Sequence, residues 1–433
     1  MLENKRDTGL VRAVGTWALA AGIFNIVVGA GIFAVPGALA ASVGPYAPFA
    51  FLFCALVVGA VAICFAEGGS RMPTSGGTYG YIEAAFGPLI GYVAGTLLWF
   101  GDVLACGGVT AALADVVVSL VPARFSAPAH AAVIIGVVGG IAFVNVGGVA
   151  RGARLAGITT VLKLFPLAVF VIVGVFAVRH GNFVQTVAPS TQGLGRAVIL
   201  ALFAFIGMEA TLSASGEVSE PARTIPRALA IAMIAVTVLY IAIQIIAQGI
   251  LGPSLAHSTA SLADAMAQIS PGLRLLMVAG AALSMFGWIS SDILGSPRML
   301  FAFARDGLLP RILGRVHPQS HTPYVAIIFY AALAVGLALT GTFAELAVLA
   351  TLTTATLYIA GCVAAWLLAR RGVAVAGTPL NFRWLRAAMV TGSGGMLVMI
   401  ALASRAEIVG LCGLVAISVV IYVVMRQAAL AST

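Results

Sequence analysis

The stretch IVVGAGIFAVPG, residues Ile26 to Gly37, interrupts a long apolar run that begins near Val14. Glycine and proline destabilise a helix interior by about 1 and about 3 kcal/mol relative to alanine. In lipid, unpaired backbone N–H and C=O groups add to that cost, so a broken helix is tolerated only beside protein or a water-filled cavity. The stretch therefore predicts a membrane helix that is broken at its middle and faces a cavity.

The composition indicates a membrane environment for the whole chain. Of its 433 residues, 61% are hydrophobic and only 9% are charged, whereas soluble domains carry roughly 25% charged residues. Crossing a bilayer takes about 20 consecutive apolar residues. We predict an all-α membrane protein, folded as one polytopic domain over residues 1–433. Its twelve predicted membrane helices span residues 14–41, 47–66, 88–120, 129–148, 156–178, 195–216, 227–250, 273–303, 323–340, 344–369, 385–403 and 407–425.

The distribution of charge predicts the orientation. Most of the 23 basic residues fall in loops or at helix ends that are cytoplasmic if the N-terminus is, as the positive-inside rule requires. The first apolar segment is too long for a signal peptide, so we expect it to be retained. We predict a multi-pass protein of the cytoplasmic (inner) membrane with both termini in the cytoplasm. This topology and an anionic inner leaflet account for the net charge of +9, so we predict neither a nucleic-acid partner nor an obligatory protein partner.

Cysteine and histidine placement argues against catalytic and metal chemistry. The five cysteines lie in apolar segments without a CxxC pair, and Pro318 separates His317 from His321 in a loop. Neither a disulfide framework nor a zinc site is indicated. We therefore predict no metal, no cofactor and no catalytic residues, and an enzyme is disfavoured. A channel is disfavoured as well, because neither a continuous polar face nor a carbonyl filter is evident.

A second apolar segment is interrupted in the same way. The stretch ILALFAFIGMEATLSASG, residues Ile199 to Gly216, has Gly207 near its middle and Glu209 two residues later. The two interrupted segments lie five predicted helices apart, so the blocks that they open cross the membrane in opposite directions. Such a pair is typical of inverted-repeat transporters with a binding site at the membrane midplane. Close helix packing through small residues is the alternative explanation.

The chemistry of a broken helix favours a zwitterionic ligand. Around Gly29 to Gly31, the second half-helix would present free N–H groups and a positive dipole end to a carboxylate. The carbonyl groups that end the first half would suit an ammonium group. An α-amino acid carries both charges, so the pattern predicts an amino acid or a related amine as the substrate.

Four motifs carry a family resemblance over nearly the whole chain. They are VVGAGIFAVPG from Val27, SRMPTSGGTYGYIEAAFGPLIGY from Ser70, FAFIGMEATLSASGEVSEPARTIPRA from Phe203 and SPRMLFAFARDGLLP from Ser296. With these motifs the chain resembles the amino acid permeases of the amino acid–polyamine–organocation superfamily. The resemblance implies the LeuT-type fold, with inverted five-helix repeats over 13–180 and 194–370 and helices 11 and 12 within 384–427. It also implies transport rather than catalysis.

The resemblance further implies a substrate site shared by the two broken helices. The residues that match are Val27, Gly29, Ala30, Gly31, Ile32, Phe203, Ile206, Gly207 and Glu209. The amides of Ala30 and Gly31 would bind the carboxylate, and carbonyls near Val27, Phe203 and Ile206 would meet the ammonium. Phe203 matches an aromatic gate, although core filling remains an alternative. Glu209 matches an acid that couples substrate binding to gating in some relatives.

Charged residues inside the predicted membrane helices are few: Asp102, Lys163, Glu209 and Asp292. Each costs about 2.5–3.5 kcal/mol or more at mid-helix unless it is solvated or paired. Lys163 matches the helix 5 lysine that replaces sodium in proton-coupled relatives, so we predict proton coupling, with a structural ion pair as the alternative. We expect Asp292 to face Lys163 as its counter-ion. An exchanger without net proton coupling is the second functional hypothesis.

Asp102 departs from the family pattern, because it aligns with a small position that lines the substrate site on helix 3. Three buried acids then face one buried base. Either one carboxyl group is protonated, or the substrate itself brings positive charge. This imbalance favours a cationic or amine-bearing substrate.

Overall fold

The structure is a computed structural model that describes residues 15–29, 31–72, 77–119, 121–148, 163–184, 189–209, 218, 220–374 and 379–431. Helices dominate these ranges. In chain order they are α1 (Thr16–Val27), α2 (Gly31–Val43), α3 (Ala47–Arg71), α4 (Gly77–Phe86), α5 (Pro88–Val118), α6 (Ser126–Val146), α7 (Leu164–Gly174), α8 (Thr191–Phe205), α9 (Pro221–Leu251), α10 (Ser261–Ala267), α11 (Pro271–Gly295), α12 (Pro297–Arg305), α13 (Tyr324–Thr340), α14 (Phe343–Arg370), α15 (Leu385–Ala401) and α16 (Arg405–Ala431).

The helices have the length and composition of a multi-pass membrane protein. Among the described residues, seven helical stretches are long and apolar enough to cross a membrane, and further apolar helices of 10–17 residues accompany them. The all-α architecture agrees with the sequence-based prediction. The count of twelve membrane helices and the inverted repeat remain predictions.

Several boundaries differ from the predicted ones for local reasons. The first predicted helix is two helices, because α1 ends at Val27 and α2 begins at Gly31. The eighth is also divided, since α11 ends at Gly295 and α12 begins at Pro297, a residue that lacks the N–H needed to continue a helix. The predicted segment 156–178 is described only from residue 163 onward. The short helices α4 and α10 were not predicted.

Burial separates central helices from peripheral ones. In their most apolar windows, α5 is 83% buried inside the protein, whereas α16 is only 17% buried. Large apolar side chains such as Phe143 and Phe176 are exposed at the periphery, as expected for a surface that faces lipid rather than water. The interior of the bundle is therefore built around α5 and its neighbours.

Small residues allow α5 to approach the helices beside it closely. A Cβ atom at Gly101 would lie 2.8 Å from Thr353 Oγ1 of α14, and one at Gly107 would lie 2.8 Å from Leu337 Cβ of α13. Small residues at helix interfaces are typical of membrane bundles, where packing rather than hydrophobicity drives association. This close packing fixes the position of Asp102, the residue after Gly101.

The C-terminal end of α3 holds a buried ion pair. Arg71 Nε lies 2.7 Å from Glu67 Oε1, and both side chains are 5% exposed or less. Arg71 also donates to the carbonyl of Val373 at 3.1 Å and to Asn381 Oδ1 at 2.6 Å. Through these bonds the ion pair joins α3 to the segment between α14 and α15. We call this group of contacts the α3 clasp.

Candidate functional site

The two predicted helix interruptions meet in space. The hydroxyl of Tyr240 on α9 lies 2.7 Å from the carbonyl oxygen of Val27, at the end of α1, and 3.0 Å from that of Ala204, near the end of α8. A tyrosine hydroxyl has one hydrogen, so it donates to one carbonyl at a time. Tyr240 thereby holds the two interruptions next to each other.

Gly207 shows why the second interruption requires glycine. Its φ angle is +120°, and an added Cβ atom would lie 2.8 Å from Ile26 Cγ2. Both the positive φ and the close approach exclude larger side chains. The backbone of the second interruption therefore packs directly on the first.

A cavity of about 720 Å³ lies against both interruptions. Its lining includes most of the predicted site residues: Val27, Gly29, Gly31, Asp102, Lys163, Phe203, Ile206, Gly207, Glu209 and Asp292. Ile32 is fully buried and does not line the cavity. Ala30 lies outside the described residues. One cavity thus unites the residues of the broken helices and the four charged residues predicted inside the membrane.

Phe203 lies against the first interruption. A Cβ atom at Gly31 would lie 3.4 Å from both Phe203 Cδ1 and Ala204 Cα. The Phe203 ring also packs edge-on against Phe343, with ring centroids 5.5 Å apart. The ring therefore covers Gly31 from a position that is compatible with a gate and with core packing.

The carbonyl of Val27 is already engaged in this conformation. It accepts hydrogen bonds from the Gly29 N–H and from the Tyr240 hydroxyl, each at 2.7 Å. A carbonyl oxygen has two lone pairs, so a third donor such as a substrate ammonium would have to displace one of these. In this conformation the Val27 carbonyl is therefore not available for the expected contact with a substrate ammonium.

Lys163 reaches the end of α1 rather than an acid. It lies at the start of α7, is 7% exposed, and its Nζ donates to the carbonyl of Asn25. Among the described residues, no ion pair within 4.0 Å joins Lys163 to a carboxylate. The expected pairing with Asp292 is therefore wrong for this conformation, because Asp292 binds the hydroxyl groups of Ser296, between α11 and α12, and of Tyr330 on α13 instead.

Glu209 stabilises the second interruption. Its Oε2 atom accepts a hydrogen bond from the Gly207 N–H at 3.1 Å and from the Tyr358 hydroxyl at 2.6 Å. The side chain is only 7% exposed. Glu209 therefore links the broken α8 segment to α14, on which Tyr358 lies.

Asp102 and Asp292 are joined through one serine. The Ser296 Oγ atom lies 2.7 Å from Asp102 Oδ2 and 2.9 Å from Asp292 Oδ1. The other Asp292 oxygen, Oδ2, accepts from the Tyr330 hydroxyl at 2.5 Å. We call Asp102 and Asp292 the acid pair, and Ser296 its bridge.

Apart from Asp292, the contribution of α11 to the cavity was not predicted from the sequence. One face of this helix lines it: Ser284, Gly287, Trp288, Ser291, Asp292 and Gly295. Ser284 donates to the carbonyl of Gly29 at 3.3 Å, and Trp288 Cδ1 lies 3.1 Å from an added Gly29 Cβ atom. The spacing of these residues is the helical i, i+3, i+4, i+7 pattern. A search for small and polar residues at that period would have found this face.

Comparison with known proteins identifies the family. The family model described as amino acid permease matches residues 14–425. The chain belongs to the amino acid permease family. The resemblance carried by the four sequence motifs is thereby confirmed.

Curated relatives agree with this assignment. The permease is 29% identical to the serine/threonine exchanger SteT of Bacillus subtilis, over 76% of this chain and 77% of the relative. It is 27% identical to the branched-chain amino acid permease BcaP of the same species, over 75% and 74% of the two chains. A methylthioribose transporter of Bacillus subtilis is 27% identical over 74% and 73%. These relatives are transporters, which supports the prediction that the permease is not an enzyme.

Proposed function

We propose that this permease is a secondary active transporter that moves amino acids across the cytoplasmic membrane by alternating access. The fold assumed is the LeuT type, with repeats over 13–180 and 194–370, helices 11 and 12 within 384–427, and both termini in the cytoplasm. Family membership supports amino acid transport. The proposal adds the mechanism, the coupling and the substrate class.

The observation that carries the proposal is that both broken helices line one cavity. Gly29 and Gly31 of the first interruption and Ile206 and Gly207 of the second all face it. Its volume of about 720 Å³ lies in the range of about 300–1,000 Å³ typical of small-molecule sites. The amides at Gly31 and the preceding residue would receive the carboxylate, and carbonyls of the second interruption near Ile206 would receive the ammonium.

Lys163 is proposed as the proton-coupling residue. Its ammonium donates to a carbonyl of α1 close to the interruption, so it links the start of α7 to the first half of the broken helix. Losing the proton would turn a charged donor into a neutral amine and weaken that contact. Protonation of Lys163 would thus favour one conformation of α1 and deprotonation the other.

The proposed substrates are amino acids that carry an extra positive or amine-bearing group. Asp102, Glu209 and Asp292 line the cavity together with the buried base Lys163, while Arg305, which also lines it, pairs with Asp306. Exchange without net proton coupling is the second candidate, and the similarity to a serine/threonine exchanger favours it. In either case the partners are a small molecule, the lipid bilayer and, for the first candidate, protons.

Uptake into proteoliposomes tests these proposals together. A panel of labelled cationic, neutral and acidic amino acids and polyamines would be offered with and without an inward proton gradient, in sodium-free and sodium-containing buffer. Proton-driven accumulation without sodium stimulation is the expected result. Uptake that requires internal amino acid and ignores the gradient would support exchange, and sodium stimulation would contradict the role given to Lys163.

A further inference from the structure

The acid pair has one bridging hydrogen for two acceptors. Ser296 Oγ is within hydrogen-bond distance of Asp102 Oδ2 and Asp292 Oδ1, but a serine hydroxyl carries one hydrogen. If both carboxyl groups were ionised, Ser296 could donate to only one. At the other contact, the serine oxygen and a carboxylate oxygen would face each other with no hydrogen between them. The geometry therefore requires a second proton.

A paired lysine, arginine or histidine could compensate a second negative charge in place of a second proton. Among the described residues, no lysine, arginine or histidine forms an ion pair with Asp102 or Asp292. Lys163 is bound to the carbonyl of Asn25, and Arg305 pairs with Asp306 at 3.2 Å. Two carboxylates that lie against the same hydroxyl group repel each other, which disfavours the ionisation of both.

The groups that face the acid pair are neutral donors or further acids. Tyr330 of α13 donates to Asp292 at 2.5 Å. Cys106 lies on α5 one turn after Asp102. Glu209 is a further acid that lines the same cavity, and it is bound to Gly207 and Tyr358. Among the described residues, the hydroxyl donors stabilise one negative charge, and no paired cation compensates a second.

We propose that Asp102 and Asp292 share one proton through Ser296, so that this wall of the cavity carries one negative charge instead of two. The protonated carboxyl donates to Ser296 Oγ, and the Ser296 hydroxyl donates to the other carboxylate. The same hydrogen bonds form with either carboxyl group protonated, so the proton belongs to the pair rather than to one residue. Ser296 is thereby a positioning residue that sets the charge presented to the substrate.

This inference deepens the proposed function and rests on it for its meaning in transport. One negative charge shared by Asp102 on α5 and Asp292 on α11 would favour a substrate with an amine-bearing side chain. The ammonium of Lys163 does not pair with this charge, because it binds the carbonyl of Asn25. The shared proton would be a second exchangeable proton, separate from that of Lys163. Its existence can be tested without substrate or gradient.

Infrared difference spectroscopy of the purified permease measures the C=O stretch of protonated carboxyl groups directly. The variants are Asp102→Asn, Asp292→Asn and the double variant, each checked for folding by its thermal transition. In either single variant the remaining acid keeps Ser296 as a donor and has no second carboxylate, so it ionises. We expect all three to lose the same single component. Glu209→Gln identifies any separate contribution from that acid.

Asp264→Asn is the matched control. Asp264 accepts a hydrogen bond from Ser258 Oγ at 2.6 Å, so there one hydroxyl serves one carboxylate and no shared proton is needed. This variant should leave the spectrum unchanged. Ser296→Ala should shift or remove the component, whereas Ser291→Ala, whose hydroxyl donates to the Gly287 carbonyl at 3.0 Å, should not.

Three results would overturn the proposal. They are two different components for the two single variants, a component that persists in either of them, and no component at all in the wild type. A permease that fails to accumulate amino acids but shows the shared component would refute the proposed function and leave this inference standing. A permease that accumulates amino acids but lacks the shared component would refute this inference and leave the proposed function standing.

Discussion

Two groups of charged residues in this permease are built on opposite principles: the buried α3 clasp and the acid pair beside the cavity. In the α3 clasp, Glu67 accepts from Arg71 Nε at 2.7 Å, from the Asn381 N–H at 3.2 Å and from the Phe382 N–H at 2.9 Å. Arg71 also donates to the carbonyl of Val373 and to Asn381 Oδ1. Charge in the clasp is neutralised entirely by the protein, at the junction of three helices.

The acid pair, by contrast, has no ion-pair partner among the described residues. The hydroxyl groups of Ser296 and Tyr330 lie within hydrogen-bond distance of its carboxyl groups. A buried ion pair with all its hydrogen bonds made is a structural element, costly to break. An uncompensated charge beside a cavity can be balanced by a proton or a ligand. We therefore assign a structural role to the α3 clasp, whose charges are compensated within the protein. We assign a functional role to the acid pair, whose charge is left for a proton or a ligand to balance.

The largest effect is expected when the clasp is broken. Arg71→Ala leaves Glu67 buried without its cation, so the free energy of unfolding should fall by about 3–5 kcal/mol. The measurement is reversible unfolding in detergent micelles. Arg223→Ala is the control, because its pair with Glu220 is 76% and 73% exposed and exposed pairs contribute only about 0–1 kcal/mol. Equal losses in the two variants would remove the contrast on which the comparison rests.

A change of shape without a change of charge should abolish function and spare stability. In Gly31→Val the branched side chain meets Phe203 and Ala204, which already lie 3.4 Å from an added Cβ atom. Uptake should fall by more than about 100-fold, equivalent to about 2.8 kcal/mol, while the thermal transition stays near that of the wild type. Gly31→Ala makes only ordinary contact and should retain part of the activity. Normal uptake by folded Gly31→Val would refute the site.

Removing the cation near the first interruption should separate coupling from binding. Lys163→Ala deletes the donor to the Asn25 carbonyl, so proton-driven accumulation should fall about tenfold, while equilibrium binding of substrate changes less. The measurement is concentrative uptake under an inward proton gradient, beside binding without one. Unaltered accumulation would make Lys163 a structural donor, comparable to Arg71 of the clasp.

The smallest effect is expected for the neutral link between the two interruptions. Tyr240→Phe deletes the hydroxyl that binds the carbonyls of Val27 and Ala204. One buried hydrogen bond contributes about 1 kcal/mol, so the free energy of unfolding should drop by about that amount. Tyr46→Phe, at an exposed position, should change nothing. A loss as large as that of Arg71→Ala would show that charge does not decide the cost of breaking a buried contact.

The helix interruptions were predictable because they are local. Glycines in an apolar run weaken a helix wherever they stand, and lipid restricts a broken backbone to a cavity or a protein contact. Both interruptions occur where the sequence predicts them, at Gly29 to Gly31 and at Gly207. Most predicted site residues then line one cavity, since side chains near a break share its surroundings.

The partners of the charged side chains were not predictable in the same way. Lys163 was expected to meet Asp292 but binds Asn25, 138 residues away in sequence. Asp102 meets Ser296 across 194 residues. In a bundle that is apolar on every side, the hydrophobic pattern does not fix the rotation of each helix. Small errors in rotation or depth change which polar groups meet.

Composition and neighbouring residues were enough to predict the membrane environment, the all-α architecture, the permease family and the two helix interruptions. The packing of distant helices was needed to show that Tyr240 joins the interruptions, that Arg71 and Glu67 form the α3 clasp, and that one serine bridges Asp102 and Asp292. These contacts depend on how distant helices are rotated and spaced against one another. That packing is set by the shape of whole helix surfaces, which no short stretch of sequence contains.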